Sequence, residues 1–484
     1  MLEIAALLLT IGGMLYHTLG IALGTTIYIA LLVAVSLSLL FRTREGVVAG
    51  VVCAGCMVLG SLNMWRADAP TDARIYGNRA FDAQIVSVDR RLDKTNIVVR
   101  DIDYGKKLQV SVRGKVQVLP GDMRTVRGSV QRPEDFVTDT GRLFGYEAYL
   151  ASKGIVGVVR EGMLGPTTDT HFSISRIPTI IRYSFADVFA RYIVFPFDGV
   201  MAGMTVGYQG GLPDYIADLF RNTGVLHVLV LSGYNITLLA GAIGILLRNL
   251  PFRLRNLLTI LAILMLVLVS GAGVAAVRAG IMGSIAIFAG LSIRSYQPFR
   301  ALIISYLFFF FLSPTSVFVD PGFHLSFLAT LFMILVLPKV ETLFQWLPQT
   351  RGIDVRELLM LAVSAPLFML PYMMYFSGNF PLASPIANIL FALITPVIMM
   401  SGIFLYALSW IGPVATLLGT LVSWCGSIVL KLLEYFSHIY IWQTPPLSWW
   451  GVALIYCSIL YVLFHNDIIS YLLQLGTRLR PGTS

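Results

Sequence analysis

The stretch LLTILAILMLVLVSGAGVAAVRAGIMGSIAIFAGLSI (residues 257–293) holds a single ionisable side chain, Arg278. A bilayer span needs about 20 apolar residues, so this stretch is long enough for two spans, divided at Ser270-Gly271-Ala272-Gly273. Lipid-facing helices are apolar all round, whereas a soluble domain must cover itself with polar groups. Working outward, further apolar runs lie near 225–248, 301–319, 323–338, 357–376, 382–409, 414–437 and 448–468. Three more follow one another at 2–18, 21–41 and 47–64. The pattern predicts a polytopic α-helical membrane protein with about 12 transmembrane helices. The opening MLEIAALLL lacks the basic n-region of a secretory signal, so it reads as a retained first span.

Composition agrees. Of 484 residues, 56% are hydrophobic and 13% charged, against about 25% charged in ordinary soluble domains. Between Arg66 and Arg191 lie 20 of the 35 Lys/Arg and 15 of the 26 Asp/Glu. The remainder is so poor in charge that each ionisable group within an apolar run draws attention. Four cysteines, Cys53, Cys56, Cys425 and Cys457, sit in apolar stretches and read as small buried side chains.

The polar segment is predicted to be a small extracytoplasmic β-barrel. FDAQIVSVDRR (81–91), NIVVRDI (96–102), KLQVSV (107–112) and RTVRGSV (124–130) alternate apolar and polar residues, and Gly105, Gly114 and Pro120-Gly121-Asp122 punctuate them. GYEAYLASKG (145–154) reads as a helix ended by Gly154. Residues 178–192 and 212–223 are amphipathic enough to lie at the outer interface. The expected divisions are N-terminal helices over 1–64, the barrel over 65–172, an amphipathic connection over 173–224, a transmembrane domain over 225–470, and a tail over 471–484.

Orientation follows from loop Lys/Arg. Arg42 and Arg44 place the second connection in the cytoplasm and the barrel outside. Arg248, Arg253, Arg255, Arg294, Arg300, Lys339, Arg351, Arg356, Arg478 and Arg480 then all fall inside without a forced flip. Both termini are expected in the cytoplasm, and the membrane is expected to be the cytoplasmic (inner) one.

Catalytic signatures are missing from the sequence: there is no H-E-x-x-H, P-loop or G-x-S-x-G, and the six histidines are scattered. No enzyme activity, cofactor or metal is expected. Ser232 with His227 makes a poor nucleophile pair, because a spacing of five does not share a helical face. Polar groups inside apolar runs carry more information. His227, Ser232, Asn235, Arg278, Asp320 and His324 are the candidates for lining a path through the membrane. The competing reading is an Arg278–Asp320 pair that pins two helices. Breaks at Ser232-Gly233, Gly271-Ala272-Gly273, Pro321-Gly322, Pro366, Pro371, Pro381, Pro385 and Pro396 support a transport reading, since irregular backbone at membrane depth is tolerated where it is buried or lines a cavity.

RNTGVLHVLVLSGYNITLLAGAIGILLRNL (221–250), GAGVAAVRAGIMGSIAIFAGLSIRSYQPFRAL (271–302), SPTSVFVDPGFHLSFLATLFMILV (313–336) and FPLASPIANILFALITPVIMMSGI (380–403) together resemble the competence domain of the ComEC family. LPGDMRTVRGSV (119–130) with FGYEAYLASKGIVGVV (144–159) resembles the OB-fold-like domain of the same proteins. The resemblance implies an inner-membrane channel that admits single-stranded DNA during natural transformation, with separate competence, nuclease and motor proteins as partners. It also implies a DNA-binding barrel, for which Arg90, Arg91, Lys94, Lys106, Lys107, Arg113 and Lys115 supply charge, and Tyr76, Phe81 and Tyr104 are candidate stacking groups. A solvated basic surface accounts for the same cations. Two positions depart from the family: Asn235 stands where its SGxH motif has His, and His324 where its GFQLSF motif has Gln. No H-x-H-x-D-H metal motif follows the last span, so strand degradation is expected from another protein. Outside this family, a carrier for another anionic or small polar solute and a membrane scaffold are the alternatives.

Overall fold

The computed structural model describes residues 2–17, 54–64 and 73–478, apart from 139, 230–232, 293, 346–354, 440 and 445–446. The span expected at 21–41 and the Arg42/Arg44 connection lie outside the described residues. Helices α1 (Leu2–His17) and α2 (Ala54–Met64) open the chain. They are followed by strands β1 (Gly77–Arg90), β2 (Lys94–Asp101), β3 (Lys107–Arg113), β4 (Asp122–Val130), β5 (Phe136–Val137) and β6 (Leu143–Phe144), helix α3 (Tyr146–Ser152), and strands β7 (Ile155–Val159) and β8 (Met163–Thr170).

Alternation builds this β domain. Along β2, Thr95, Ile97, Val99 and Asp101 are buried while Lys94 and Arg100 face outward. Phe81, Ala83 and Ile85 of β1, Leu108 and Val110 of β3, and Val126 of β4 meet Ile97 and Val99 in one core. The sheet runs β7-β3-β2-β1-β4-β8, with β3 and β7 parallel. A bridge from Gln131, just beyond β4, to Val158 of β7 brings the sheet round upon itself. The turn before β4 requires glycine: Gly121 has φ +97°, and a Cβ there would sit 2.3 Å from the His171 carbonyl oxygen.

The helical body follows. Helices α4 (Arg176–Tyr192) and α5 (Phe197–Val206) form a hairpin, and α6 (Asp214–Asn222) and α7 (Leu226–Leu229) lead into α8 (Gly233–Leu246). Then come α9 (Phe252–Val269), α10 (Val274–Leu291), α11 (Pro298–Leu312), the short α12 (Pro314–Val319), and α13 (Pro321–Val340), which contains a π-helical turn at Phe332–Val336. Helices α14 (Val355–Phe376), α15 (Ser384–Leu408), α16 (Gly412–Ser437) and α17 (Trp449–Arg478) complete the body. Among the described residues five helices (α9, α10, α13, α15 and α16) are long and apolar enough to cross a membrane, and five shorter apolar helices accompany them. This is a multi-pass helical membrane protein with an N-terminal β domain.

The segment expected as a connection turns out to be central. Every residue of α5 except Asp198 is buried. They share the body's main core with Phe189, Phe220, Ala387, Phe391, Leu405 and Leu433. Ten residues rise about 15 Å, too few to span a bilayer, which is why hydropathy alone passes over α5.

The β domain rests on three connections of the helical body. The Ser152 carbonyl accepts hydrogen bonds from Ser313 Oγ at 2.6 Å and Ser316 Oγ at 3.2 Å. Arg142, beside β6, donates to the carbonyls of Met374 (2.5 Å) and Thr444 (3.4 Å), and Phe144 packs on Phe376. Nearer the hairpin, the Tyr183 hydroxyl donates to the Val88 carbonyl at 3.3 Å. The turns α11/α12, α14/α15 and α16/α17 therefore all meet the β domain.

Candidate functional site around Arg278

Arg278 projects from α10 between small residues, with Ala276, Ala279 and Gly280 buried beside it. Its Nε donates to Ser326 Oγ at 2.8 Å, and its Nη1 donates to Thr330 Oγ1. Ser326 and Thr330 are four apart on α13 and so share one face. The Thr330 hydroxyl also donates to the Ser326 carbonyl at 3.0 Å. Across from them, a Cβ on Gly233 would lie 3.0 Å from Nη2 of Arg278 and 3.3 Å from Ala279 Cβ. Glycine is what lets α8 begin this close to the guanidinium.

The Arg278–Asp320 pair of the competing reading is not formed. Asp320 caps α13 instead, its Oδ1 accepting from Gly322 N at 2.9 Å ahead of Pro321 at the first helical position. A carboxylate committed to a helix N-terminus is already compensated by backbone N–H groups. Arg278 is left with neutral hydroxyls and the Met282 sulfur, and among the described residues no carboxylate pairs with it.

His324 is held at both ring nitrogens. Nε2 lies 2.8 Å from the Val317 carbonyl and Nδ1 2.8 Å from the Tyr372 hydroxyl. A carbonyl can only accept, so Nε2 carries the proton, and a neutral ring then accepts from Tyr372 at Nδ1. His324 thus ties α13 to α12 and α14, a positioning task that Gln in the family's motif could also perform. Asn235 is 1% exposed, and its Nδ2 donates to the Met204 carbonyl at 3.4 Å. It packs α8 against α5. His227, on α7, is an exposed residue. Ser232 lies outside the described residues. The structure therefore gathers Arg278, Gly233, Ser326 and Thr330 at one point, with Asp320 and His324 earlier along the same α13. The two hydroxyls were missed in the sequence, although their spacing of four on an apolar helix was the available signal.

The basic candidates of the β domain separate into two groups. Lys94 pairs in register with Arg113, and Arg100 with Lys107. The two pairs are six residues apart along β2, about 20 Å at 3.3 Å per residue. Arg90, Arg91 and Lys115 belong with the first end and Lys106 with the second. Phe81 is 3% exposed within the core of the β domain, so it cannot stack on a base. Tyr76 and Tyr104 pack on the same core, and the Tyr76 hydroxyl donates to the Val156 carbonyl at 3.0 Å. Aromatic side chains that alternate inward on a small barrel serve its core first.

Comparison with known proteins agrees with this architecture. The family described as Competence protein matches residues 204–467, more than half of the chain, and the match begins inside α5. ComE operon protein 3 of Bacillus subtilis (strain 168) is 26% identical over 194 residues, which are 40% of this chain and 24% of that protein. The chain thus aligns with about a quarter of this relative's length. No solved structure matches.

Proposed function

Since the chain belongs to the ComEC family of competence proteins, we propose that it is an inner-membrane channel through which single-stranded DNA enters during natural transformation. The observation that carries the reading is Arg278, a guanidinium deep among apolar helices whose partners are hydroxyls. A charge at mid-membrane costs about 2.5–3.5 kcal/mol on insertion scales. A cation already neutralised by a carboxylate offers little to a passing phosphate, whereas one held by neutral groups keeps its field. Gly233, where a Cβ would lie 3.0 Å from Nη2, leaves the guanidinium's remaining edge uncovered at the start of α8. In this reading α5, α7 and α8 are the interrupted elements that border the path. The closed circuit of β1, β2, β3, β7 and β4 supports an OB-type barrel, and the barrel lies outside the cytoplasm. The apolar helices named above, with the run at 21–41, make up about 12 spans.

Two measurements test this. A host lacking its own copy, complemented with this chain, accumulates labelled DNA in a nuclease-protected form. Restored uptake of a small anion without DNA would replace the reading by the carrier alternative. In a cysteine-free background, Gly105→Cys is labelled by an impermeant maleimide on intact cells, whereas Gly412→Cys, at the start of α16, is labelled only after permeabilisation. The reverse pattern would place the β domain in the cytoplasm.

A further inference from the structure

Where the β domain meets the start of α4, a cavity of about 410 Å³ is lined by Arg90, Arg124 and Arg176 together with Asp122, Gln117 and Thr167. Three guanidinium groups against one carboxylate leave a formal charge of 3 − 1 = +2. That carboxylate is already engaged: Asp122 Oδ1 accepts from Arg176 Nη1 at 2.9 Å, and Oδ2 accepts from Leu119 N at 3.0 Å. Arg124 donates to the carbonyls of Gly165 at 3.2 Å and Gln117 at 3.3 Å. Arg90 lies over the Tyr183 ring, 3.9 Å from its centre, with the Val118 carbonyl at 3.5 Å. Neither Arg90 nor Arg124 pairs with a carboxylate among the described residues, and the Nε of each is buried without an acceptor. Converging cations repel one another, and carbonyls that hold them in place do not cancel their charge. An anion with several acceptor oxygens satisfies such a site, and Arg–phosphate geometry suits it.

We propose that this cavity binds a phosphodiester of single-stranded DNA, an assignment that rests on the uptake reading above. Arg90 is the last residue of β1, and the Lys94–Arg113 pair lies just beyond it across the β1–β2 turn. Cations continue from the cavity along the domain, as successive phosphates of one strand require. Apart from Val118 and Leu119 the lining is polar, so it provides no bed for the acyl chains of a phospholipid. Thr167, in register with Arg124, is exposed and stands at the rim.

The test uses the full chain in nanodiscs of zwitterionic lipid and a fluorescent oligo-thymidylate, titrated with salt. Arg124→Gln weakens binding about tenfold, as loss of one hydrogen-bonded charge contact does. It also lowers the slope of log K against log salt by about 0.7, one phosphate of a single strand. Thr167→Glu weakens binding similarly by placing a carboxylate at the rim, and it removes no hydrogen bond of the native fold. Arg160→Gln, exposed elsewhere on the domain, leaves slope and affinity unchanged. If the wild-type chain binds the oligonucleotide and neither cavity variant alters affinity or slope, the cavity is not the phosphate site, while the uptake reading stands. If the wild-type chain ignores the oligonucleotide but binds nanodiscs of anionic lipid through Arg124, the site serves a headgroup and the proposal falls. If it binds neither, the proposal falls and the uptake reading loses its support in the β domain.

Discussion

Arg278→Ala lowers DNA uptake about 10- to 100-fold, the scale of losing one or two hydrogen bonds to a charged group, while the protein still inserts and folds. Folding survives because the guanidinium is not half of an ion pair. Removing one member of a buried pair strands the other charge and costs about 3–5 kcal/mol. Here the groups left behind are the hydroxyls of Ser326 and Thr330, and Thr330 already donates to the Ser326 carbonyl at 3.0 Å. Arg278→Lys retains partial uptake, since it keeps the charge and loses the fork that reaches both hydroxyls at once. Asp320→Ala acts differently, removing the α13 cap at a cost of about 1 kcal/mol with uptake reduced only in proportion to folded protein. Uptake of labelled DNA is measured beside the monodisperse yield of each variant. Uptake by Arg278→Ala within twofold of wild type at equal yield would end the conducting role of this residue.

Gly419→Ala combined with Gly426→Ala destabilises the helical body severely. These two glycines lie seven apart on α16 and seat the α4–α5 hairpin. A Cβ at position 419 would lie 2.2 Å from the Tyr192 carbonyl oxygen, and one at 426 would lie 2.3 Å from the Phe197 ring. Neither neighbour has room to yield, because one is backbone and Phe197 is 3% exposed in the main core. Overpacking of this kind costs about 1–3 kcal/mol per site, occasionally more. Against a total of about 5–15 kcal/mol for a domain, the pair removes much of the folded population. Gly412→Ala, with no atom within 4 Å of its Cβ, is the neutral control. Thermal unfolding in detergent reads the difference, and a double variant that unfolds with wild type would show that the hairpin is not seated there.

Much of this architecture was legible in the chain. The apolar runs at 257–273 and 274–293 became α9 and α10, and those at 382–409 and 414–437 became α15 and α16, each within a few residues. The four quoted β segments became β1 to β4, because period-2 alternation with glycine turns admits few other structures. Of the basic candidates, Arg91, Lys94, Arg113 and Lys115 are exposed and Arg90, Lys106 and Lys107 are half-buried. Their division between two ends of a hairpin was not visible, since register converts sequence neighbours into distant surfaces. Arg90 was marked for its charge, while Arg124 and Arg176 were not, because the cavity they share assembles three segments far apart in the sequence.

The sequence by itself determined that this chain lives in a membrane and that a β domain interrupts its helices. These are local properties, set by hydropathy over about 20 residues and by side-chain period. Tertiary structure alone decided what the polar groups do. Asp320 could face Arg278 or its own helix terminus, and the backbone N–H of Gly322 claimed it. Asn235 could line a path or brace a hairpin, and the carbonyl of Met204 claimed it. Helix α5, too short to register as a span, lies at the centre of the core because its glycines let neighbouring backbones close in. A polar group in an apolar body takes whichever partner the packing brings within about 3 Å, and no local pattern of residues encodes that choice.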